Sequence, residues 1–432
     1  MTHLLIAPQY SNYNRDGIYM LHADSTANMT FNKLRVMLQL DPEFTADVLV
    51  PSESSVAIQP EDLTASIPGI ERVTFLRQGM ASNAARTRYD FRYEEMKQIL
   101  ASRGKYTHAY IMDPMHVRNY KALFFLELKY MPKIICNSHF IDDPDNPVVA
   151  KDIQYWFGQV EGHVKADLNV WQCKSAQDVF ERAAIKYGLN PEFVEGLSEK
   201  SFCWDAGYSH YEMSQPVNEA LARKRFLRDF SDIDPDKFRV FVPNRMGGKI
   251  NGVERSLDYT NAGKFVLEVT NDVWTRRQDF VVIAGNPNQK ITNAEIEERV
   301  PAYFRMLRDG TFEREEYRYV AKKCDIVVGA FTVDSYGGTA WRECVDQGCM
   351  PVLADCYEQH VILEAAQWPT SMRIRPDLSN MSSALEATMD YLRSLEKRGP
   401  ANPLLDRIKR IVREECSFEE TTRPAMVGMG ML

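Results

Sequence analysis

Phe331-Thr-Val-Asp-Ser-Tyr-Gly-Gly-Thr-Ala-Trp-Arg-Glu-Cys-Val-Asp-Gln-Gly-Cys-Met-Pro-Val-Leu353 reads as a strand end, a glycine-bearing turn, a short helix opening near Thr339, and a second buried strand from Pro351. Gly337 and Gly338 let backbone N–H groups approach a ligand, and a helix N-terminus behind them favours an anion. Glu343 lies one helical turn beyond Thr339, so the two share a face. A carboxylate in that position can grip vicinal hydroxyls of a ribose or a sugar. An ordinary strand-to-strand crossover with a surface Glu carries the same letters, so the surroundings have to decide.

Outward from this segment the same grammar repeats. Short apolar runs at 3–7, 46–51, 72–77, 107–112, 133–139, 166–172 and 202–207 alternate with helical patterns at 27–40, 93–102, 115–130, 148–164 and 176–187. Runs such as Lys133-Ile-Ile-Cys136 are apolar without alternation, as strands buried on both faces are, and the intervening helices imply right-handed crossovers. A basic helix is expected at 217–230, and Ser231-Asp-Ile-Asp-Pro-Asp-Lys237 looks like a boundary. Strands then resume at 238–243, 279–284, 324–329 and 350–354, with helices at 260–273, 294–308, after Gly338, 383–397 and 404–415. The predicted fold class is α/β: two Rossmann-like, doubly wound parallel-sheet domains, 1–230 and 231–432, facing a central cleft.

Composition agrees and excludes other classes. At 432 residues, 44% hydrophobic and 26% charged, the chain has the make-up of a two-domain globular protein. No run approaches the ~18 apolar residues that a membrane-spanning helix needs. The opening Met1-Thr-His-Leu-Leu-Ile-Ala-Pro8 lacks the basic start and long apolar region of a signal peptide, so a cytoplasmic location is expected. The eight cysteines are scattered without a C-x-x-C pair, which fits reduced thiols better than a zinc site or disulfide framework. The net charge is −8, yet residues 77–133 hold eleven Lys and Arg against five Asp and Glu.

In open parallel sheets ligands sit beyond the carboxyl ends of the strands, so the informative residues follow each strand. After 238–243 come Asn244, Arg245, Met246, Gly247, Gly248 and Lys249: a planar fork of donors, a point charge and permissive glycines, suited to a diphosphate. This is not a Walker loop, because Pro243 and Ile250 stand where Gly and Ser or Thr are required. Gly285, in Phe280-Val-Val-Ile-Ala-Gly-Asn-Pro-Asn288, makes a tight turn whose backbone can hold a nucleobase edge or simply reverse the chain. Asp113 ends Tyr110-Ile-Met-Asp113 and is read either as a base for an acceptor hydroxyl or as a turn-forming residue before Pro114. Asp143-Pro-Asp145 is turn and cap chemistry, and no metal is expected. Leu5-Ile-Ala-Pro-Gln-Tyr-Ser-Asn12 lacks the glycine fingerprint of a dinucleotide-dependent dehydrogenase.

Taken together these pieces resemble the donor-binding half of glycosyltransferases with the GT-B fold, particularly the large retaining group numbered family 4. That pattern places an Arg and a Lys after the first strand of this half; Arg245 and Lys249 match, with one residue fewer between them than usual. It also places Gly-x-Thr-Ala, a Glu and Gly-x-Pro-Val in order, matched by Gly337-Gly-Thr-Ala340, Glu343 and Gly348-Cys-Met-Pro-Val352. The resemblance implies that Glu343 holds the nucleotide ribose, with Tyr336, Gly337, Gly338, Thr339 and Gly285 around the donor. Family members normally carry a further Glu where Ser335 stands; Asp334 lies one position off and is expected to take the contact with the donor sugar. His139, after Ile134-Ile-Cys-Asn-Ser-His139, matches a His that faces the donor sugar in many members. The implied donor is a UDP-sugar, no cofactor is required, and the anomeric configuration is retained. Arg245, Lys249 and the turn amides are expected to stabilise the departing diphosphate without a metal.

The acceptor is less legible. Arg77, Arg86, Arg88, Arg92, Lys97 and Arg103 interleave with Tyr89, Phe91 and Tyr93, a pattern that contacts phosphates and stacks on bases. The chain looks like a divergent relative of phage DNA glycosyltransferases, which implies double-stranded DNA as a partner, a hydroxymethylated pyrimidine as acceptor, contacts through Arg86, Arg88, Tyr89 and Arg92, and a host cytoplasm as the setting. A lipid or surface polysaccharide acceptor, a nucleotide-sugar 2-epimerase of the same fold, and a non-catalytic sugar-nucleotide binder are the alternatives. Arg118, Lys121, Lys129 and Phe124-Phe-Leu126 also suit docking at a lipid interface.

Overall fold

The apolar runs become buried strands in a computed structural model, which describes residues 2–9, 21, 24–79, 92–138, 153–204, 207–220, 222, 230–231, 233–243, 248–250, 253–255, 261–284, 303–306, 312, 314–330, 338–396 and 401–432. Two compact units result, one made of 1–208 with 418–432 and the other of 209–417.

In the first unit β1 (His3–Ala7), β2 (Thr45–Pro51), β3 (Val73–Gln78), β4 (His108–Ile111), β5 (Lys133–Asn137), β6 (Leu168–Trp171) and β7 (Ser201–Cys203) form one sheet in the order β3-β2-β1-β4-β5-β6-β7. Every pairing is parallel. Leu5, Ala109, Ile111, Ile134 and Cys136 are wholly buried, because helices cover both faces of such a sheet. At about 2 kcal/mol for each large aliphatic side chain removed from water, these strands anchor the unit. The order reverses direction between β1 and β4, whose ends are level because Ala7 lies opposite Ile111. Gln9 and Asp113 therefore stand just beyond that switch point, where open sheets place ligands.

The second unit contains β8 (Phe238–Val242), a small antiparallel hairpin of β9 (Gly248–Ile250) and β10 (Val253–Arg255), and then β11 (Phe280–Ala284), β12 (Phe304–Met306), β13 (Ile326–Gly329) and β14 (Met350–Leu353). Its main sheet runs β12-β11-β8-β13-β14, all parallel. Here the switch lies between β8 and β13, so the turns following those two strands flank it. These are the turns expected to hold the diphosphate and the ribose.

Several expectations are corrected. The units do not part at 230/231: the first ends at Tyr208 and regains residues 418–432. The helix Phe418–Met429, unforeseen because Pro424 interrupts its pattern, is responsible. Arg35 pairs with Glu419, Thr2 Oγ1 donates to Met431 O at 3.3 Å, and Lys133 Nζ donates to Met429 O at 3.0 Å. Within the span 294–308, expected to be helical, residues 304–306 form β12, a three-residue edge strand too short to show a period, and 294–302 lie outside the described residues. The helices Arg314–Lys323 and Tyr357–Ala365 were also not foreseen. The helix expected at 115–130 is Pro114–His116, Val117–Ala122 and a wider turn at Leu123–Glu127, which leaves Phe125 and Leu126 exposed. Most of the helix expected at 217–230 lies outside the described residues.

Candidate functional site

The turn after β13 returns to the described chain at Gly338, whose φ of +77° is the left-handed conformation that glycine adopts freely. Thr339 follows as the first cap of the helix Ala340–Gln347, its carbonyl accepting from Arg342 N at 2.9 Å and Glu343 N at 3.2 Å. Gly348, at φ +110°, ends that helix. Trp341, Cys344 and Val345 bury the helix on the sheet. Beneath it a Cβ at Gly329 would stand 2.6 Å from Leu353 Cδ2, so a larger residue there would make the Leu353 side chain shift. Gly338, Thr339 and Glu343 are thus brought together within one turn at the switch-point end of β13.

Glu343 is not free in that position. Arg314, from the first turn of the helix Arg314–Lys323, donates Nη2 to Oε1 at 2.6 Å and Nη1 to Oε2 at 3.2 Å. The same guanidinium donates Nε and Nη2 to Glu212 at 2.6 and 3.1 Å. Burial alone would lower the pKa of Arg314, but the carboxylates of Glu343 and Glu212 outweigh it and hold the group well above its ordinary value. Two carboxylates on one guanidinium leave the cluster with a surplus negative charge, which suits hydroxyl donors and repels phosphate.

One turn further, Asp346 is buried and accepts from Arg413 Nε at 2.6 Å while His210 Nδ1 lies 2.9 Å from its other oxygen. His210 and Glu212 share the short helix His210–Ser214, capped by Ser209 Oγ, which accepts from Glu212 N at 2.9 Å. That short helix therefore clips both acids of Ala340–Gln347. Tyr317 Oη donates to Ala340 O at 2.8 Å, and burial pushes the phenol well above its usual pKa, so it stays a donor.

Sequence reasoning missed Arg314 and Glu212. The Ser209-x-x-Glu212 spacing is that of a capping box and marked a helix start, although Glu212 turns to Arg314. Nothing in the sequence links Arg314 to residues 29 and 102 positions away.

Of the other expected donor residues, Lys249 falls in β9 with its backbone opposite Glu254, in a hairpin rather than a plain loop. Arg245, Gly285, Asp334, Ser335, Tyr336 and Gly337 lie outside the described residues, as do His139, Asp143, Asp145, Arg86, Arg88 and Tyr89.

In the first unit Asp113 is completely buried and caps the turn Pro114–His116, accepting from Met115 N at 3.1 Å and from Gln9 Nε2 at 3.3 Å. The helix Ile153–Lys165 presses on that turn through Gly162, where a Cβ would lie 2.2 Å from Pro114 O. Beside the end of β5, Ser138 Oγ lies 2.7 Å from His163 Nε2, and His163 Nδ1 lies 3.0 Å from Asn169 Oδ1. Burial pushes His163 down to about 3, so the ring is neutral and locks this corner. Among the described residues of the basic stretch, Arg77 pairs with Glu61, Lys97 with Glu127, Arg103 with Asp47 and Lys121 with Asp167. Arg92 keeps 52% of its side chain exposed, 3.7 Å from Glu95.

Among the described residues no three His, Cys, Asp or Glu side chains are grouped to hold a metal ion, and no helix is long and apolar enough to cross a membrane.

No family model matches the chain, and no curated protein matches its sequence. Solved structures do match. HepE from Anabaena, in complex with UDP, aligns over the whole of both chains at 11% identity and a TM-score of 0.63. The trehalose-6-phosphate synthase OtsA aligns over all of this chain and 99% of its own at 11% identity and 0.62. A UDP-GlcNAc 2-epimerase from Neisseria meningitidis, bound to UDP-GlcNAc, aligns over both whole chains at 10% identity and 0.54. At these identities the likeness shows the fold: two Rossmann-like parallel-sheet domains of the GT-B class.

Proposed function

We propose that this protein is a glycosyltransferase that moves a sugar from a UDP-sugar to an acceptor hydroxyl with retention of configuration, releasing UDP. The observation that carries the reading is Glu343: a buried carboxylate, one turn into the helix behind Gly338 and Thr339, at the switch point of a fold shared with UDP- and UDP-sugar-bound proteins. In this reading Glu343 accepts from the ribose hydroxyls. Breaking the sugar–phosphate bond builds charge on the diphosphate, which Arg245, Lys249 and the amides of the 337–339 turn stabilise. His139 and Asp334 contact the donor sugar. Asp113 acts through the turn it caps, holding the strand end in place rather than touching the acceptor.

The acceptor in this reading is a hydroxymethylated pyrimidine in DNA, engaged by Arg86, Arg88, Tyr89 and the half-exposed Arg92. Because Arg77, Lys97, Arg103 and Lys121 pair with acids, affinity for DNA in this reading rests on this short arginine–aromatic stretch. An enzyme acting within a duplex also has to extrude the base.

The test is incubation with UDP-sugars and either plain or hydroxymethylated DNA, followed by mass spectrometry of the digested nucleosides. A mass gain equal to one sugar, only on hydroxymethylated substrate, supports the full proposal. Donor consumed only with lipid or polysaccharide present moves the acceptor elsewhere. Interconversion of the donor with no acceptor present identifies an epimerase.

A further inference from the structure

Resting on the donor-site reading above, we infer that Arg314 is the positioning residue for Glu343: braced by Glu212, its guanidinium fixes the carboxylate that receives the ribose hydroxyls. Both oxygens of Glu343 accept from Arg314, at 2.6 and 3.2 Å, so the carboxylate is held at two points in the plane of a rigid fork. The guanidinium cannot swing away, because its other edge is bonded to Glu212 at 2.6 and 3.1 Å. Each outer member is itself anchored. Glu212 N is capped by Ser209 Oγ, and the helix bearing Glu343 is tied at Ala340 O by Tyr317.

Three separate helices therefore meet at one guanidinium, which is more support than a surface ion pair requires. Each oxygen of Glu343 keeps a further lone pair for an incoming hydroxyl. A carboxylate offers acceptors only, so the cluster selects a ligand that brings two O–H donors. The surplus negative charge sets the direction in which the nucleotide lies, ribose at this end and diphosphate away from it. Arg314 touches neither; it acts through Glu343.

The experiment measures binding of UDP, 2′-deoxy-UDP and 3′-deoxy-UDP by calorimetry on the full chain, with thermal melting and steady-state kinetics alongside. Wild type is expected to favour UDP over each deoxy analogue by about 10-fold or more, the scale of a hydrogen bond to a charged group. Arg314→Gln should weaken UDP binding about 10-fold while leaving the deoxy analogues nearly unchanged, so the preference collapses. KM for the donor should rise with kcat within about 2-fold, since ribose binding is equal in ground and transition states. Arg314→Lys, which keeps the charge but loses the fork, should lie between, and Glu212→Gln should show a smaller loss of about 3-fold.

An Arg314→Gln protein that melts early but keeps the wild-type preference overturns the inference, because Arg314 is then only a clamp between helices. If that variant does not fold, Arg314→Lys retaining the full preference overturns it equally. A Glu343→Gln protein that binds UDP as wild type does, or a wild type that does not bind UDP, overturns the donor-site reading itself.

Discussion

Two carboxylates follow the strand beside the switch point in each unit, Asp113 two residues past β4 and Glu343 one turn into the helix that comes after β13, and they are used in opposite ways. Asp113 has no exposed surface and is consumed by its own turn, bonded to Met115 N and Gln9. Glu343 keeps 10% of its side chain exposed and is bonded to a distant guanidinium rather than to its own backbone. The first arrangement makes a rigid strand end; the second holds an acceptor ready for a ligand. A titratable side chain after a parallel strand is therefore not a functional assignment until its partners are known.

The largest effect bearing on this contrast is expected at Gly162. Gly162→Ala drives a Cβ to within 2.2 Å of Pro114 O, in the turn that Asp113 caps, and should cost about 3 kcal/mol of stability, read from denaturant unfolding. Next comes the pair of acids themselves. Glu343→Gln should raise KM for the donor about 10- to 100-fold with an unchanged melting temperature. Asp113→Ala should cost about 2 kcal/mol of stability and leave that KM alone. Reversed outcomes would invert the contrast between the two acids.

A comparable effect comes from pH. His163 titrates at about 3 when folded and near 6.5 when unfolded, so as pH falls the unfolded chain takes up the proton first. Stability is full above that upper value and is lost between it and the folded one, by about 2 kcal/mol at pH 5 from this residue alone. Burial lowers His3 and His108 as well, which adds loss of the same sign. Urea melts across pH 5–8 check this, and a His163→Gln variant should flatten the slope. The smallest effect serves as the control for Gly162. Gly196 lies in the helix Pro191–Glu199 with open space where an added methyl would stand, so Gly196→Ala should stabilise by about 0.5–1 kcal/mol.

The sheets were legible in the sequence because strands such as Ile134-Ile-Cys136 are buried on both faces and show as unbroken apolar runs. Phe304-Arg-Met306 was not, since three residues at a sheet edge with a charge among them carry no periodic signal. In the site, the Gly338–Glu343 turn was legible because its chemistry is local: a positive-φ glycine, a helix start and an acid one turn on. Arg314, Glu212 and the Ser138–His163–Asn169 chain were not, because each depends on elements brought together only by folding. The eleven cations of 77–133 show the opposite case. Their charge was visible in the sequence, whereas acids such as Asp47, Glu61 and Asp167 that offset it come from outside that stretch.

The return of Phe418–Met429 to the first unit has a consequence for biosynthesis. During synthesis the sheet of β1 to β7 emerges from the ribosome early, yet Thr2, Arg35 and Lys133 must wait for partners translated almost 300 residues or more later. Until that last helix is made, the side of the early unit that it covers stays open to water and to chaperones, so the first unit to appear is the last to be completed.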